Sequence, residues 1–312
     1  VDVGLISYNA AISACEKGAE WKQALTLFAE LQQSSFTPNL ITHNAVISAC
    51  EKGAKWQQAL ALLAEIHLSG LKFDVITLGA AISSCAKSHE WEQAISLLAK
   101  MQNRRLALDV ITYNSAVSAC EKGAEWQQAL SLVEEMQQHG LECDAITYSA
   151  AISACEKGTV WEHALGLLTE MQRSRLQVTL IALNAAICSC DKRQQWRLAL
   201  TLLEEAQENT IVPDVITYNA VISACESSRR WEQAVWLLDS IEQARLQADT
   251  ISFNAAIMAC SKGQQPEIAL LLLERIRRHG LTPDVIALST AIGACDVAQR
   301  AERATELIQC IQ

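Results

Sequence analysis

The chain has 312 residues, 50% of them hydrophobic, and carries a formal net charge of −10. This apolar content excludes an intrinsically disordered chain, and no apolar run approaches the roughly 18 residues that a membrane-spanning helix needs. An acidic balance on its own argues against a partner as acidic as nucleic acid.

One segment recurs along the sequence at a fixed period of 35 residues, without an insertion. A period of 20–50 residues is typical of solenoids built from stacked repeats. We take residues 1–4 as a leader at a fragment boundary and residues 5–312 as a single array. Its predicted repeats are 5–39, 40–74, 75–109, 110–144, 145–179, 180–214, 215–249, 250–284 and the incomplete 285–312.

The first half of each repeat is predicted to be a helix, and the fourth repeat shows the pattern clearly. Thr112 is the predicted N-cap, and Gly123 is expected to end the helix in the left-handed conformation. The helical spacing i, i+3, i+4, i+7 places four apolar side chains on one face: Tyr113, Ala116, Val117 and Cys120.

The second half of the repeat is predicted to be another helix. It begins near Glu125, whose charge suits a helix N-terminus, and Gly140 closes it, as Gly70 and Gly280 do in other repeats. The predicted apolar face is Trp126, Ala129, Leu130, Val133 and Met136. One repeat cannot bury both faces, so neighbours must stack; the period leaves the hand of the resulting superhelix open.

Two columns of large or reactive side chains follow the 35-residue period. Nine of the twelve cysteines do so: Cys15, Cys50, Cys85, Cys120, Cys155, Cys190, Cys225, Cys260 and Cys295. Stacked helices lie about 8–10 Å apart, too far for a disulfide, so we expect reduced, buried thiols. Seven tryptophans form the second column, as core residues or as stacking platforms: Trp21, Trp56, Trp91, Trp126, Trp161, Trp196 and Trp231.

A polar column occupies the first helices. At about 100° per residue, Asn114 falls opposite the predicted core face, so we expect an exposed side chain. The alternative is a tolerated polar residue after the cap, although asparagine favours helices poorly. The column is Asn9, Asn44, Gly79, Asn114, Ser149, Asn184, Asn219, Asn254 and Ser289.

Two further columns flank it. The last residue of each repeat is expected to cap or charge the start of the next helix, and it could at the same time present a polar group beside the Asn column. These residues are Asn39, Asp74, Asp109, Asp144, Thr179, Asp214, Asp249 and Asp284. Isoleucines near the start of each first helix either pack in the core or lie exposed as apolar plates: Ile6, Ile41, Ile76, Ile111, Ile146, Ile181, Ile216, Ile251 and Ile286.

The 35-residue period, the "ITYN" helix start, the glycine after the first helix and the terminal "PD" resemble the pentatricopeptide repeat (PPR) proteins. The resemblance extends from Leu5 to the C-terminus. It implies an all-α fold, a right-handed α-solenoid superhelix of helix-turn-helix repeats. It also implies that each repeat binds one base of single-stranded RNA.

The same resemblance implies roles for the columns. The Asn column and the terminal Asp column would read the base, and the Ile column would sandwich it between repeats. A lysine column would contact phosphate: Lys17, Lys52, Lys87, Lys122, Lys157, Lys192 and Lys262. In the family's code Asn with Asp favours uracil and Asn9 with Asn39 cytosine, which implies a site near 5′-CUNURUUU-3′.

An acidic residue precedes most of these lysines, so we expect a nearly neutral groove and weak salt dependence of RNA binding. The sequence shows no deaminase signature, no carboxylate cluster for metal-dependent cleavage and no phosphate loop. We therefore expect no enzymatic activity, no cofactor and no metal. The main alternative is a protein-interaction scaffold without RNA binding, and another is the targeting half of a larger RNA-processing enzyme.

The resemblance also implies a setting. It suggests a monomer in the mitochondrion or chloroplast, with the transit peptide outside this chain and no membrane association. Single-stranded RNA would be the main partner, alongside other RNA-processing proteins. The expected outcome is organellar RNA processing, stabilisation or translation.

Overall fold

The computed structural model describes residues 3–34, 36–192, 194–209 and 211–297, and within these ranges it contains seventeen α-helices and no strand. The first helices of the repeats are α1 (Val3–Lys17), α3 (Leu40–Lys52), α5 (Val75–Lys87), α7 (Val110–Lys122), α9 (Ala145–Lys157), α11 (Leu180–Asp191), α13 (Val215–Ser227), α15 (Thr250–Lys262) and α17 (Val285–Val297). The second helices are α2 (Trp21–Gln33), α4 (Trp56–Leu68), α6 (Trp91–Asn103), α8 (Trp126–Gln138), α10 (Trp161–Arg173), α12 (Trp196–Glu208), α14 (Trp231–Gln243) and α16 (Pro266–Arg278).

The helices form two compact bodies, Val1–Gly158 and Thr159–Gln312. In the first body each of α1, α3, α5 and α7 packs on its own second helix and on the first helix of the next repeat. The second body repeats this pattern from α11 to α17, with α10 packed on α11. Each body is thus a stack of helical hairpins, the all-α solenoid architecture that the period predicts. None of the described helices is long and apolar enough to cross a membrane.

The first helices begin one residue after the terminal Asp column, and the predicted N-cap Thr112 is wrong. Asp109 is the N-cap of α7, with extended backbone, and its carboxylate accepts the Thr112 backbone N–H at 2.9 Å. Thr112 is the third helical residue, and its hydroxyl lies 2.6 Å from the same carboxylate oxygen. A carboxylate in this position satisfies a backbone donor that the helix leaves unpaired.

The glycine after the first helix has another role than the predicted one. Gly123 has a right-handed φ of −76°, and the next residue, Ala124, takes the positive φ of 59°. A Cβ on Gly123 would lie only 2.4 Å from Cδ1 of Trp91 in the preceding repeat. Glycine is therefore required for close packing between repeats. The prediction for Gly140 is confirmed, since its φ is +72°.

The core lies between the two helices of each repeat and their neighbours. The four predicted apolar residues of α7 are fully buried, as are Ala129 and Met136 on α8. Leu132 is buried although the predicted face omitted it, and Leu130 is half-buried. The tryptophans are half-buried rather than fully enclosed, because one edge packs on the next repeat while a face stays accessible, as in Trp21 with Lys55 Nζ 4.8 Å from its ring.

The residue before the Asn column is aromatic in five of the nine repeats: Tyr8, Tyr113, Tyr148, Tyr218 and Phe253. His43 is 1% exposed in this column, as expected for a core substitute. Leu78 replaces the aromatic ring in the third repeat, and a mostly apolar cavity of about 370 Å³ lies between α4 and α6 beside it.

The cysteine column is buried, as predicted, from Cys50 to Cys260, and Cys15 is half-buried. The side chain of Cys295 lies outside the described residues. Burial raises the pKa of the Cys120 and Cys155 thiols to about 12. These groups are therefore protonated core residues at neutral pH.

Candidate functional site

The Asn column and the terminal Asp column form hydrogen-bonded pairs. Each Asn is the fifth residue of a first helix, and its partner caps the next first helix, 30 residues later in the chain. The Nδ2–H groups donate to carboxylate oxygens at 2.8–3.1 Å in four pairs: Asn44–Asp74, Asn114–Asp144, Asn219–Asp249 and Asn254–Asp284. Asn184 also donates to Asp214. In these repeats the first helix is thus joined to the residue that caps the next first helix.

These asparagines are half-buried rather than exposed. The expectation from helical rotation was wrong in this respect, because the next repeat packs beside the polar side of the helix and covers part of the amide. The Asn is not merely a tolerated residue after a cap, since its side chain makes a specific contact with the cap of the next first helix. The sequence alone does not reveal this contact, because it depends on how neighbouring helices stack.

A third column completes the network, and the prediction assigned it only a capping role. Thr77 Oγ1 lies 2.6 Å from Asn44 Oδ1 and 2.5 Å from Asp74 Oδ1, so the hydroxyl bridges the pair. Thr42, Thr147 and Ser252 contact Asn9, Asn114 and Asn219 in the same way, at 2.5–2.6 Å. The recurring Thr or Ser before the aromatic residue of the "ITYN" start was the available sequence signal.

This network fixes the orientation of each amide. A carboxylate can only accept, so the NH2 group of Asn must face Asp, and Oδ1 faces the hydroxyl. Asn114, for example, donates to both oxygens of Asp144, at 3.0 and 3.1 Å, and accepts from Thr147. An amide held in this way retains a second N–H and a second lone pair in defined directions.

Two carboxylates in the column have shifted pKa values. Burial disfavours ionisation of Asp74, but hydrogen bonds from Thr77 and Asn44 outweigh it and lower the pKa of the carboxyl group. Burial likewise opposes ionisation of Asp214, and hydrogen bonds from Thr217 and Asn184 lower its pKa. Both groups are therefore negatively charged acceptors at neutral pH.

Three repeats carry no asparagine in the Asn column. In the third, Gly79 carries no side chain, and an added Cβ there would approach only Thr112 Oγ1, at 3.7 Å. In the fifth, the Ser149 hydroxyl donates to the Ala145 carbonyl of its own helix at 2.6 Å, and Thr179 caps α11. In the ninth, Ser289 donates to the Ile286 carbonyl.

The sixth and eighth repeats keep the pair and lose the bridge. In the sixth, Asn184 Oδ1 is buried without a hydrogen-bond partner among the described residues. In the eighth, Ala287 stands where Thr or Ser bridges other pairs, and Asn254 Oδ1 is buried without a hydrogen-bond partner among the described residues. A buried amide oxygen without a donor costs free energy, and a bound group that supplies an N–H or O–H would recover it.

The Ile column lies at the surface beside these pairs. Its nine side chains are 54–74% exposed, from Ile6 and Ile286 to Ile111. Of the two alternatives, exposed plates and core packing, the structure agrees with the first. Large apolar side chains repeated at the surface are unusual and mark a binding surface more often than a solvated one.

The lysine column is paired with acids of the preceding repeat. The Nζ–carboxylate distances are 2.7–3.5 Å in four pairs, which we call the Glu–Lys ladder: Glu16–Lys52, Glu51–Lys87, Glu121–Lys157 and Glu226–Lys262. The lysine side chains in it are 36–43% exposed. The neutral groove expected from the sequence agrees with this pairing. Among the described residues, no group of three or more His, Cys, Asp or Glu side chains could hold a metal ion.

Family models of pentatricopeptide repeats match most of the sequence. The model described as a pentatricopeptide repeat-containing protein matches residues 1–101, the PPR repeat family model residues 108–157, and the pentatricopeptide repeat domain model residues 166–227. The PPR repeat model matches residues 146–176, 216–246 and 251–281. A comparison with curated protein sequences gave no significant match.

Solved structures share the fold. The crystal structure of the pentatricopeptide repeat protein PPR10 from maize is similar with a TM-score of 0.85 and 18% identity, over 99% of this chain and 44% of that one. Two structures of PPR10 in complex with an 18-nucleotide psaJ RNA element have TM-scores of 0.65 at 18% identity, over 99% of this chain and 50% of theirs. The chain thus spans about half the length of these structures. With its repeated helical hairpins and these matches, the chain belongs to the pentatricopeptide repeat family.

Proposed function

We propose that this protein binds single-stranded RNA along its first helices, one base per repeat, and that it acts by binding rather than by catalysis. The observation that carries the proposal is the recurrence of hydrogen-bonded Asn–Asp pairs beside exposed isoleucines. Two structures similar in fold hold PPR10 together with an RNA element, which supports the same ligand class here.

The chemistry of the pair suits the edge of a base. The free N–H of Asn114 can donate to a carbonyl oxygen while Oδ1 accepts from a ring N–H, and uracil presents both groups side by side. The flanking isoleucines, such as Ile111 and Ile146, would contact the two faces of the base. Asn with Asp is therefore proposed to select uracil, and Asn9 with Asn39 cytosine, as the family's code implies.

The proposed site is 5′-CUNURUUU-3′, with one nucleotide for each of the first eight repeats. Uracil is assigned to the repeats that hold an Asn–Asp pair. Ser149 with Thr179 is assigned a purine, and Gly79 with Asp109 is left open. Stacking and edge contacts of about 1–3 kcal/mol per base allow micromolar to nanomolar affinity after the cost of ordering the strand.

Fluorescence anisotropy with 5′-CUAUAUUU-3′ tests the proposal. A second RNA carries adenine in place of the last three uracils, which face Asn184, Asn219 and Asn254. We expect at least a tenfold loss of affinity for the second RNA. Equal affinity for both would contradict base selection, and no binding to either would favour a protein-interaction scaffold instead.

A single repeat offers a sharper test. Asn114→Ala removes the amide that faces the fourth base, and we expect it to weaken binding of the cognate RNA and to abolish the preference for uracil at that position. Gln128→Ala is the matched control, because Gln128 is exposed on the second helix of the same repeat. A wild-type preference in the Asn114→Ala protein would show that this repeat does not read its base through the amide.

We further propose a role in organellar transcript processing, stabilisation or translation, in the mitochondrion or the chloroplast. A bound protein can block an exonuclease or open a hairpin without any chemistry of its own. Fractionation of source cells with organelle markers tests the location, and sequencing of RNA crosslinked to the protein identifies the transcript. Recovery of the protein outside both organelles would contradict the assignment.

A further inference from the structure

The Glu–Lys ladder contains the lysines that would contact RNA phosphates. Lys87 Nζ lies 2.9 Å from Glu51 Oε1, and Lys157 Nζ lies 2.9 Å from Glu121 Oε1. Lys262 and Glu226 approach to 2.7 Å. In each pair the acid belongs to one first helix and the lysine to the next, 36 residues later in the chain.

The ladder shares a face with the Asn column. Gly79, Ser83 and Lys87 follow one another at i, i+4 and i+8 on α5, which places them along one side of the helix. Ser83 Oγ donates to the same oxygen of Glu51 that Lys87 contacts, at 2.8 Å. Asp191 accepts from Ser223 and Ser227 in the equivalent place of α13. The acids therefore lie on the same side of the first helices as the Asn column, where the proposed RNA would bind.

The ladder has a gap in the third repeat. Ala86 stands where seven of the other eight repeats carry Glu or Asp, and the eighth repeat carries Ser261 there. The lysine 36 residues after Ala86, Lys122, therefore lacks the acid that the lysines of the Glu–Lys ladder contact. Among the described residues, Lys122 makes no ion pair within 4.0 Å, and neither does Lys17 at the start of the column. The same helix carries Gly79 in the Asn column, so the third repeat departs from the others twice on this face.

An ion pair lowers what a lysine can contribute to RNA binding. A phosphate that approaches Lys87 or Lys157 must either displace the carboxylate or lie beside it, and a nearby carboxylate repels it. A lysine without an acid faces neither cost and can neutralise a phosphate fully. Among the lysines of the column, counterion release from RNA should then arise mainly at Lys17 and Lys122.

We propose that the Glu–Lys ladder restrains RNA binding electrostatically, and that Lys122, opposite the gap at Ala86, contributes a full phosphate contact, as does the unpaired Lys17. The ladder thereby sets how much affinity comes from base reading and how much from charge. This inference rests on the proposed RNA-binding function and concerns the regulation of the same surface.

The first test introduces the missing acid at Ala86. Ala86→Glu places an acid opposite Lys122, and the backbone accommodates it, since Glu occupies this place in repeats one, two and four. Ala86→Gln is the matched control for size. Affinity for 5′-CUAUAUUU-3′ is measured from about 0.05 to 1 M salt. One phosphate contact in a single strand corresponds to a slope of about 0.7 in log K against log salt.

We expect Ala86→Glu to reduce the steepness of that slope by about 0.7 and to lower the affinity at 0.05 M salt. This lost slope amounts to about eightfold in affinity at 0.05 M relative to 1 M salt. Ala86→Gln should leave the slope unchanged. Equal slopes for the Glu and Gln proteins would overturn the inference.

The second test removes one acid from the Glu–Lys ladder, so it does not depend on a substitution at the buried Ala86. Glu121→Gln releases Lys157 and should steepen the slope by about 0.7. Glu134→Gln makes the same change in net charge on an exposed part of α8 and serves as the control. If both variants steepen the slope equally, net charge explains the effect and the ladder does not.

Different results would overturn the inference about the Glu–Lys ladder and the proposed RNA-binding function. Base-dependent RNA binding that is insensitive to Ala86→Glu and Glu121→Gln would overturn the ladder and leave the proposed function intact. If the wild-type protein binds no single-stranded RNA at any salt concentration, the proposed function itself is wrong. Circular dichroism of each variant confirms that the helices have formed before binding is measured.

Discussion

The terminal Asp of each repeat does two things at once. Asp144 accepts the backbone N–H groups of Ile146 and Thr147 at 3.0 and 2.8 Å and so caps α9. The same carboxylate holds the amide of Asn114. Asp144 therefore combines the two roles that the sequence allows for this column, capping and presentation beside the Asn column. One group can serve both because a carboxylate has about four acceptor sites.

Substitution of Asp144 separates these roles. We expect Asp144→Ala to lower the free energy of unfolding by about 1–2 kcal/mol, because a helix start loses its cap. Asp144→Asn should cost only a few tenths, since asparagine caps about as well and Asn39 already caps α3. Urea denaturation of the three proteins measures the difference. Similar losses for Ala and Asn would mean that the charge, not the cap, stabilises this junction.

The buried thiols give a second prediction for single side chains. Because burial raises the pKa of Cys120 and Cys155 to about 12, almost no reactive thiolate exists at pH 8. We expect iodoacetamide to leave both unmodified in the native protein and to modify them in urea, as peptide mass spectrometry can show. Cys15, which is half-buried, is the internal comparison. Rapid native labelling of Cys120 would show that the first helices open readily.

The first and second helices of a repeat end for two different physical reasons. The second helix α8 ends before Gly140, whose positive φ of 72° suits glycine. The first helix α7 ends with a glycine in right-handed conformation and an alanine in left-handed conformation. The prediction treated both glycines alike, because the sequence shows a glycine after a helix in either case. The neighbouring tryptophan, which excludes a Cβ, belongs to another repeat and cannot be seen in the local pattern.

Adjacent substitutions distinguish these effects. Gly123→Ala should lower the free energy of unfolding by about 1–3 kcal/mol, because the new Cβ overlaps Trp91 and the inter-repeat contact must shift. Ala124→Gly should change it by less than about 1 kcal/mol, since relief of left-handed strain is offset by entropy gained in the unfolded chain. Thermal unfolding followed by circular dichroism measures both. A neutral Gly123→Ala would mean that the tryptophan moves aside freely.

The acidic net charge of the protein limits how it could bind the proposed RNA ligand. The acidic net charge of −10 argued against nucleic acid. Four lysines of the column nevertheless lie on the same side of the first helices as the Asn column, and each is paired with an acid. An acidic protein of this kind would have to bind RNA mainly through base contacts and stacking, with little help from long-range attraction.

The salt dependence of the wild-type protein tests this balance. We expect a slope of log K against log salt that is shallower than about −4, the value for about six neutralised phosphates on a single strand. Anisotropy titrations at four or more salt concentrations supply it. A steeper slope would show that the lysines leave their acidic partners on binding and that the charge of the free protein is a poor guide to the bound state.

The amino-acid sequence was sufficient for the period, the helical hairpin, the buried face of α7, the thiol column and the family. All of these follow from spacing along one chain, which helical geometry converts directly into faces. The pairing of Asn114 with Asp144, the bridging hydroxyl of Thr147 and the ion pair of Lys157 with Glu121 required the folded repeats. These contacts join groups about 30 residues apart or more, and their distances depend on how one hairpin stacks on the next, which a period of 35 residues does not specify.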